Sequence, residues 1–263
     1  MNLEAQIERY RRRGFPDEEA QILVLLESAA SGICAAFPGR FVLIGGATLV
    51  LLYQSQRVSR DLDLAPRAGA LPEGSEIADA IKRSVQPHAD ALAMGDIELR
   101  NLSHAGAEPT KILVQARGRV LFSVDLTRIG GAVLDAEVVG MNLPGGGAVL
   151  VPSADYLLLQ KCETFLNRKK VKARDAFDIN LLLGVGANLS PNLGAHLRDF
   201  IHVEEIEAGD IRLRIDAVDR KLCTVELKNT LPHALFLALV VNDFVQLRSS
   251  LETVFKEGCE DPH

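Results

Sequence analysis

Apolar and polar positions change period several times along this chain, and each change predicts an element. Residues 1–36 repeat at helical spacing. A short charged helix ends near Gly14-Phe15-Pro16, and Asp17 is placed to cap a longer helix over 18–37 that turns Ile22, Leu23, Leu25, Leu26 and Ala29 to a core. Pro38-Gly39 stops it. The apolar run 41–44 then reads as a buried strand, Gly46 opens a helix, and residues 57–64 read as a second strand. A Pro/Gly/Ala loop over 67–74 leads into a helix over 75–85. From Ile97 the period falls to two, and the runs 111–116 and 119–128 flank Arg117-Gly118 as a hairpin with a tight turn. A strand over 136–139 and the glycines of 144–147 close the mixed part. Beyond Pro152 the pattern is helical, with Ser153 as N-cap of a helix over 154–167 and another helix over 171–183. The remainder predicts helices over 193–202 and 231–255, with a β-like piece over 210–226 between them. These patterns predict an α+β protein: a mixed sheet flanked by helices in a domain of residues 1–150, and a mainly helical domain of residues 151–263.

The period of two matters most in the strand over 57–64. Ser59, Asp61 and Asp63 share one face of it, and Val58, Leu62 and Leu64 the other, with Arg60 as the exception. Two carboxylates about 7 Å apart on one strand face, close to a glycine turn at a helix N-terminus, suit a hard cation carrying a phosphate. Gly45 and Gly46 let the backbone approach phosphates and offer them N–H groups, and Ser59 adds a hydroxyl. The second hairpin strand places Ser123, Asp125 and Thr127 on its polar face, so Asp125 supplies a third carboxylate. Three such acids suit two-metal phosphoryl or nucleotidyl transfer, in which Mg²⁺ ions grip a triphosphate and activate a hydroxyl. An isolated D-x-D is more often only the solvated edge of an amphipathic strand. The preceding glycine pair favours the phosphate reading.

A second constellation spans residues 157–179, LLLQKCETFLNRKKVKARDAFDI. Lys161 and Arg168 lie seven apart on one helix face, where they can neutralise a triphosphate. Lys161 sits in an otherwise apolar helix and needs a partner. Lys169, Lys170, Lys172 and Arg174 make the following linker basic, as a solvated face or as a contact for an RNA backbone. Asp175 and Asp178 share the next helix's face, and pairing of Arg174 with Asp178 is the plain structural account of the latter.

Composition narrows the classes. Of 263 residues, 48% are apolar, enough for a proper core. No apolar run reaches the roughly 20 residues of a membrane span, and no signal-peptide apolar region follows the charged N-terminus, so a cytoplasmic protein with no membrane partner is expected. A net charge of −6 argues against a generally basic surface for nucleic acid but leaves room for a local patch. Cys34, Cys162, Cys223 and Cys259 lack zinc or disulfide spacing. There is no P-loop, and Gly184-x-Gly186 lacks a third glycine.

The segments IGGATLVLLYQSQRVSRDLDL, SVDL and KCETFLNRKKVKARDAFDI occur in the order found in the AbiEii/AbiGii toxin family, a branch of the DNA polymerase β-like nucleotidyltransferases, which the chain resembles over residues 40–184. The resemblance implies a toxin of a toxin–antitoxin or phage-defence locus that binds a nucleoside triphosphate (NTP) and, as some members do, transfers nucleotides to tRNA. It implies that Gly45, Gly46 and Ser59 hold phosphate, Asp61 and Asp63 hold metal, Asp125 is the third carboxylate, Lys161 contacts the triphosphate and Asp175 is the downstream catalytic acid. The expected partners are an NTP, an RNA acceptor and a cognate antitoxin. Two alternatives stay open: a catalytically silent NTP-binding module, and a transferase acting on a small molecule of the antibiotic type.

Overall fold

The computed structural model describes residues 2–67, 71–102, 111–126 and 137–259. The chain divides into two compact units, Met1–Pro152 and Ser153–His263. In the first, α1 (Leu3–Arg12) and α2 (Asp17–Ala36) precede β1 (Phe41–Ile44), α3 (Gly45–Leu52) and β2 (Asp61–Pro66). Next come α4 (Gly74–Ala91), β3 (Ile97–Asn101), β4 (Lys111–Ala116), β5 (Arg119–Leu126), β6 (Val138–Asn142) and β7 (Ala148–Pro152). The seven strands form one mixed sheet in the order β3-β4-β5-β2-β1-β7-β6. The central strand β2 runs antiparallel to β1 and parallel to β5.

α2 is long and apolar enough to cross a membrane by length and composition. It is a core helix instead. Ile22, Leu23, Leu25, Leu26 and Ile33 are fully buried, in one cluster with Leu43, Leu62, Val124 and Val151 of the sheet. Burying each such side chain contributes roughly 1.5–3 kcal/mol, so α2 anchors the sheet that carries the polar strand face. Asp17 is not its cap: Pro16 holds the N-cap position, and Asp17 pairs with Arg11 at 2.8 Å.

Several boundaries differ from expectation. β2 begins at Asp61 rather than at residue 57: the four-residue β1 pairs with it only from Asp63 onward, and the pairing with β5 starts at Asp61 although β5 reaches back to Arg119. Ser59 therefore lies in the connection before the strand. α4 continues past residue 85, through Pro87 to Ala91, since Ala89 still faces the core. The hairpin forms as expected, with Arg117 and Gly118 both at positive φ (50° and 73°), matching the twist of the strands. Thr127 and the end of that predicted strand lie outside the described residues, as does residue 136. β7 had no counterpart in the sequence reading. It pairs in parallel with β1 and antiparallel with β6, the glycines of 144–147 forming the turn between the two.

The second unit contains α5 (Ala154–Asn167), α6 (Ala173–Gly184), α7 (Pro191–Val203), α8 (Ala208–Asp216), α9 (Arg220–Leu227), α10 (His233–Val241) and α11 (Val245–Cys259). Residues 210–226 form parts of α8 and α9 joined by a turn at 217–219, not a β-like piece. A capping box between Glu207 and Asp210 starts α8, and Ile211 and Ile215, four apart, bury one side of it. The single helix expected over 231–255 is two, bent by 77°. Asp243 and Phe244 adopt positive φ at the break, and the Phe244 ring is fully buried 6.2 Å from that of Phe236. Burial of that ring offsets the cost of the left-handed turn.

Candidate active site

The polar face of the first unit's sheet gathers the acids. β2 and β5 pair Asp61 with Ser123 and Asp63 with Asp125, and β4 adds Lys111 opposite Asp125. Asp63, Asp125 and Lys111 thus form one row across three strands. The Ser123 hydroxyl is 2.8 Å from Asp61 Oδ1 and 2.9 Å from Asp125 Oδ2, and its single proton serves one of them at a time. Lys111 Nζ donates to the same Asp125 oxygen at 2.8 Å. That hydrogen bond, helped by the charges of Asp125, Asp61 and Asp63, raises the Lys111 ammonium above its ordinary pKa.

The glycine pair closes one side of this face. Gly45 has φ +74°, and a Cβ there would lie 2.3 Å from Asp63 Oδ2. A Cβ on Gly46 would lie 2.7 Å from Ser59 Oγ and 2.9 Å from Arg57 Nη2. Only glycine lets the chain pass this close to a carboxylate, a hydroxyl and a guanidinium. Ile44 is the N-cap of α3 and offers no side-chain cap, so the first-turn N–H groups suit an anion. Arg57 is buried, and its Nη1 donates to the Val58 carbonyl at 3.1 Å.

These residues suit a hard divalent cation in donor chemistry, and the cradle beside Asp63 is one that any Cβ would fill. Among the described residues, however, no three acidic, His or Cys side chains are already drawn together as a metal cluster. Asp125 is held by Lys111 and Ser123 instead.

In the second unit, two buried ion pairs account for the other predicted residues. Lys161 Nζ meets Asp178 Oδ2 at 2.8 Å, with side-chain exposures of 13% and 0%. This supplies the partner that Lys161 required, and it replaces the expected Arg174–Asp178 pairing. Arg168 Nε donates to Asp175 Oδ2 at 2.5 Å, with Asp175 1% exposed. In the basic linker, Lys172 pairs with Glu226, whose other oxygen accepts from the Ala173 N–H at the start of α6. Sequence reasoning missed Lys111 and Arg57, and it placed Ser123 and Asp178 on the right faces without their partners, Asp61 and Asp125 for the one and Lys161 for the other. The S-x-D of β5 was a usable signal for Ser123; Lys111 had none, because its register opposite Asp125 is set by the hairpin.

The chain matches the family described as nucleotidyl transferase AbiEii toxin, type IV toxin–antitoxin system, over residues 30–247. It belongs to that family. The AbiEii match runs well beyond residue 184, through α5–α9 and α10 into α11, so the C-terminal helices are part of what this nucleotidyltransferase family shares. No curated protein gave a significant match. Solved structures support the fold. A nucleotidyltransferase from H. pylori aligns with TM-score 0.53 at 14% identity, covering 95% of this chain and 100% of its own. JHP933 from Helicobacter pylori gives 0.54 at 15%, covering 88% and 90% respectively. MenT4, a nucleotidyltransferase toxin from Mycobacterium tuberculosis, gives 0.51 at 15%, covering 99% and 95%.

Proposed function

We propose that this AbiEii-family nucleotidyltransferase transfers a nucleotide from an NTP to an acceptor hydroxyl on RNA such as tRNA, in a Mg²⁺-dependent reaction that releases pyrophosphate. The supporting observation is the register that sets Asp61 and Asp63 beside Ser123 and Asp125 on one sheet face, next to the Gly45-Gly46 turn. Asp61 and Asp63 would hold the metal, joined by Asp125. Bound Mg²⁺ would supply charge neutralisation on the triphosphate and acidify the acceptor hydroxyl.

The protein's own groups do the rest. The uncapped N–H groups at the start of α3, the Ser59 hydroxyl and the Arg57 guanidinium bind and orient phosphate oxygens. Lys161 is assigned to the triphosphate charge, its ammonium oriented by Asp178, with Arg168 as a further cation. Asp125, whose side chain is 22% exposed, is better placed than Asp175 to take the acceptor's proton, because Asp175 is buried and clamped by Arg168. The basic segment 168–174 supplies charge for a polyanionic acceptor. A cognate antitoxin is the expected protein partner, as in type IV toxin–antitoxin systems, and the cytoplasm the expected compartment. The hold of Lys111 and Ser123 on Asp125 favours one second reading, an NTP-binding module without transfer.

Incubating the protein with each α-labelled NTP, Mg²⁺ and total RNA, in parallel with Asp61→Ala, separates the two. Asp61-dependent label in RNA establishes transfer and its acceptor class. Metal-dependent NTP binding with no labelled product supports the silent module.

A further inference from the structure

Three facts about Lys111 stand outside the family reading. It is the cation in register with the aspartate row, directly opposite Asp125 across the β4–β5 ladder. Its Nζ donates to the Asp125 Oδ2 that the Ser123 hydroxyl also reaches, the hydroxyl proton going to that oxygen or to Asp61 Oδ1. Its side chain is 43% exposed, so the long stem can move the ammonium into water without opening the core.

We propose that Lys111 is an internal counter-cation of the aspartate face, holding Asp125 in the nucleotide-free protein and leaving it when that carboxylate takes a divalent cation. The inference rests on the metal reading of Asp61, Asp63 and Asp125. Three carboxylates on one sheet face repel one another, and a fixed ammonium reduces that repulsion while no metal is bound. The same positive charge opposes a divalent ion arriving beside it. Lys111 therefore weakens metal binding in the absence of nucleotide and ties loading of the Asp125 side to the arrival of the triphosphate, whose own charge favours the exchange. Ser123 gives Asp125 a second donor, a neutral one that can turn to Asp61 when Asp125 changes partner. Lys111 is a positioning residue in this scheme, acting through Asp125.

The test is Mn²⁺ binding to the full chain without nucleotide, followed by electron paramagnetic resonance of the free ion. Wild type, Lys111→Met, Lys111→Arg and Asp61→Asn would be compared. Removing the ammonium should tighten Mn²⁺ binding by about tenfold, the size expected for a charge of this kind in a half-exposed position. Lys111→Arg should bind as weakly as wild type, and Asp61→Asn should lose the site. If Asp61→Asn abolishes binding while Lys111→Met binds no more tightly than wild type, the Lys111 inference fails and the metal reading survives. Tight binding by Lys111→Arg would likewise overturn it, since the effect would not be one of charge. Binding that is absent in every protein, or indifferent to Asp61→Asn, removes the metal reading and this inference with it.

Discussion

The acid row of the first unit's sheet and the acid pair at the start of α6 in the second are treated in opposite ways. Asp61, Asp63 and Asp125 sit partly exposed on a sheet face, with Lys111 as the charge partner of Asp125. Asp175 and Asp178 are almost wholly buried, and each has its own cation. A carboxylate left near solvent among like charges keeps affinity for a cation from outside. One that is buried and paired has spent its charge on the fold, and it fixes the position of the group it pairs with. The first arrangement fits ligand binding and the second fits preorganisation of Lys161 and Arg168.

Substitutions can break this contrast. The largest effect is expected at Asp61: Asp61→Ala should lower nucleotidyl transfer by about a thousandfold or more, with the melting temperature nearly unchanged. Full activity in that variant would mean the site is elsewhere. Asp178→Ala should do the reverse and strike stability first, by roughly 3–5 kcal/mol in urea unfolding, because it strands the Lys161 ammonium in the interior. The double variant Lys161→Met with Asp178→Leu should recover most of that stability yet stay impaired in NTP binding. Recovery of both would reduce the pair to a packing role.

Gly45→Ala tests the cradle with a smaller effect. A left-handed φ in a residue with a Cβ costs about 1–2 kcal/mol, and here the methyl also meets the Asp63 carboxylate. Stability should fall by about 2 kcal/mol and phosphate affinity with it, measured by thermal shift with and without NTP. The smallest effect concerns the thiols. Burial pushes Cys34 up to about 11 and Cys223 up to about 12. Both should resist alkylation at pH 8, with Cys34 at about one thiolate in a thousand. The folded protein keeps these protons to higher pH than the unfolded chain, which stabilises it. The contribution is complete below the ordinary thiol value of 9.0 and is lost as pH rises towards 11 and 12. Rapid labelling of Cys34 in the native protein at pH 8 would contradict its burial.

Much of the candidate site was legible because it is local. Gly45, Gly46, Ser59, Asp61 and Asp63 lie within nineteen residues, and the turn, helix start and strand alternation that place them depend on near neighbours. Even there the strand start was misjudged, since β2 begins at Asp61, where its pairing with β5 starts, rather than where the alternation begins. The stretch 210–226 misled for a related reason. Its Ile211, Leu213 and Ile215 alternate as a strand would, while Ile211 and Ile215 also satisfy helical spacing, and packing chose the helix with Leu213 exposed. The broken helix at Asp243-Phe244 is a tertiary choice of the same kind.

By itself the sequence determined the glycine pair, the D-x-D spacing, the Arg117-Gly118 turn and the helix start at Ser153, because backbone sterics and short-range hydrogen bonds act over a few residues. Only the tertiary structure decided which cation meets which acid: Lys111 with Asp125, Lys161 with Asp178, Arg168 with Asp175. Those pairings, like the parallel join of β7 to β1, follow from strand register and helix packing. Charge attraction has no preferred sequence separation, so no local pattern could have named the partners.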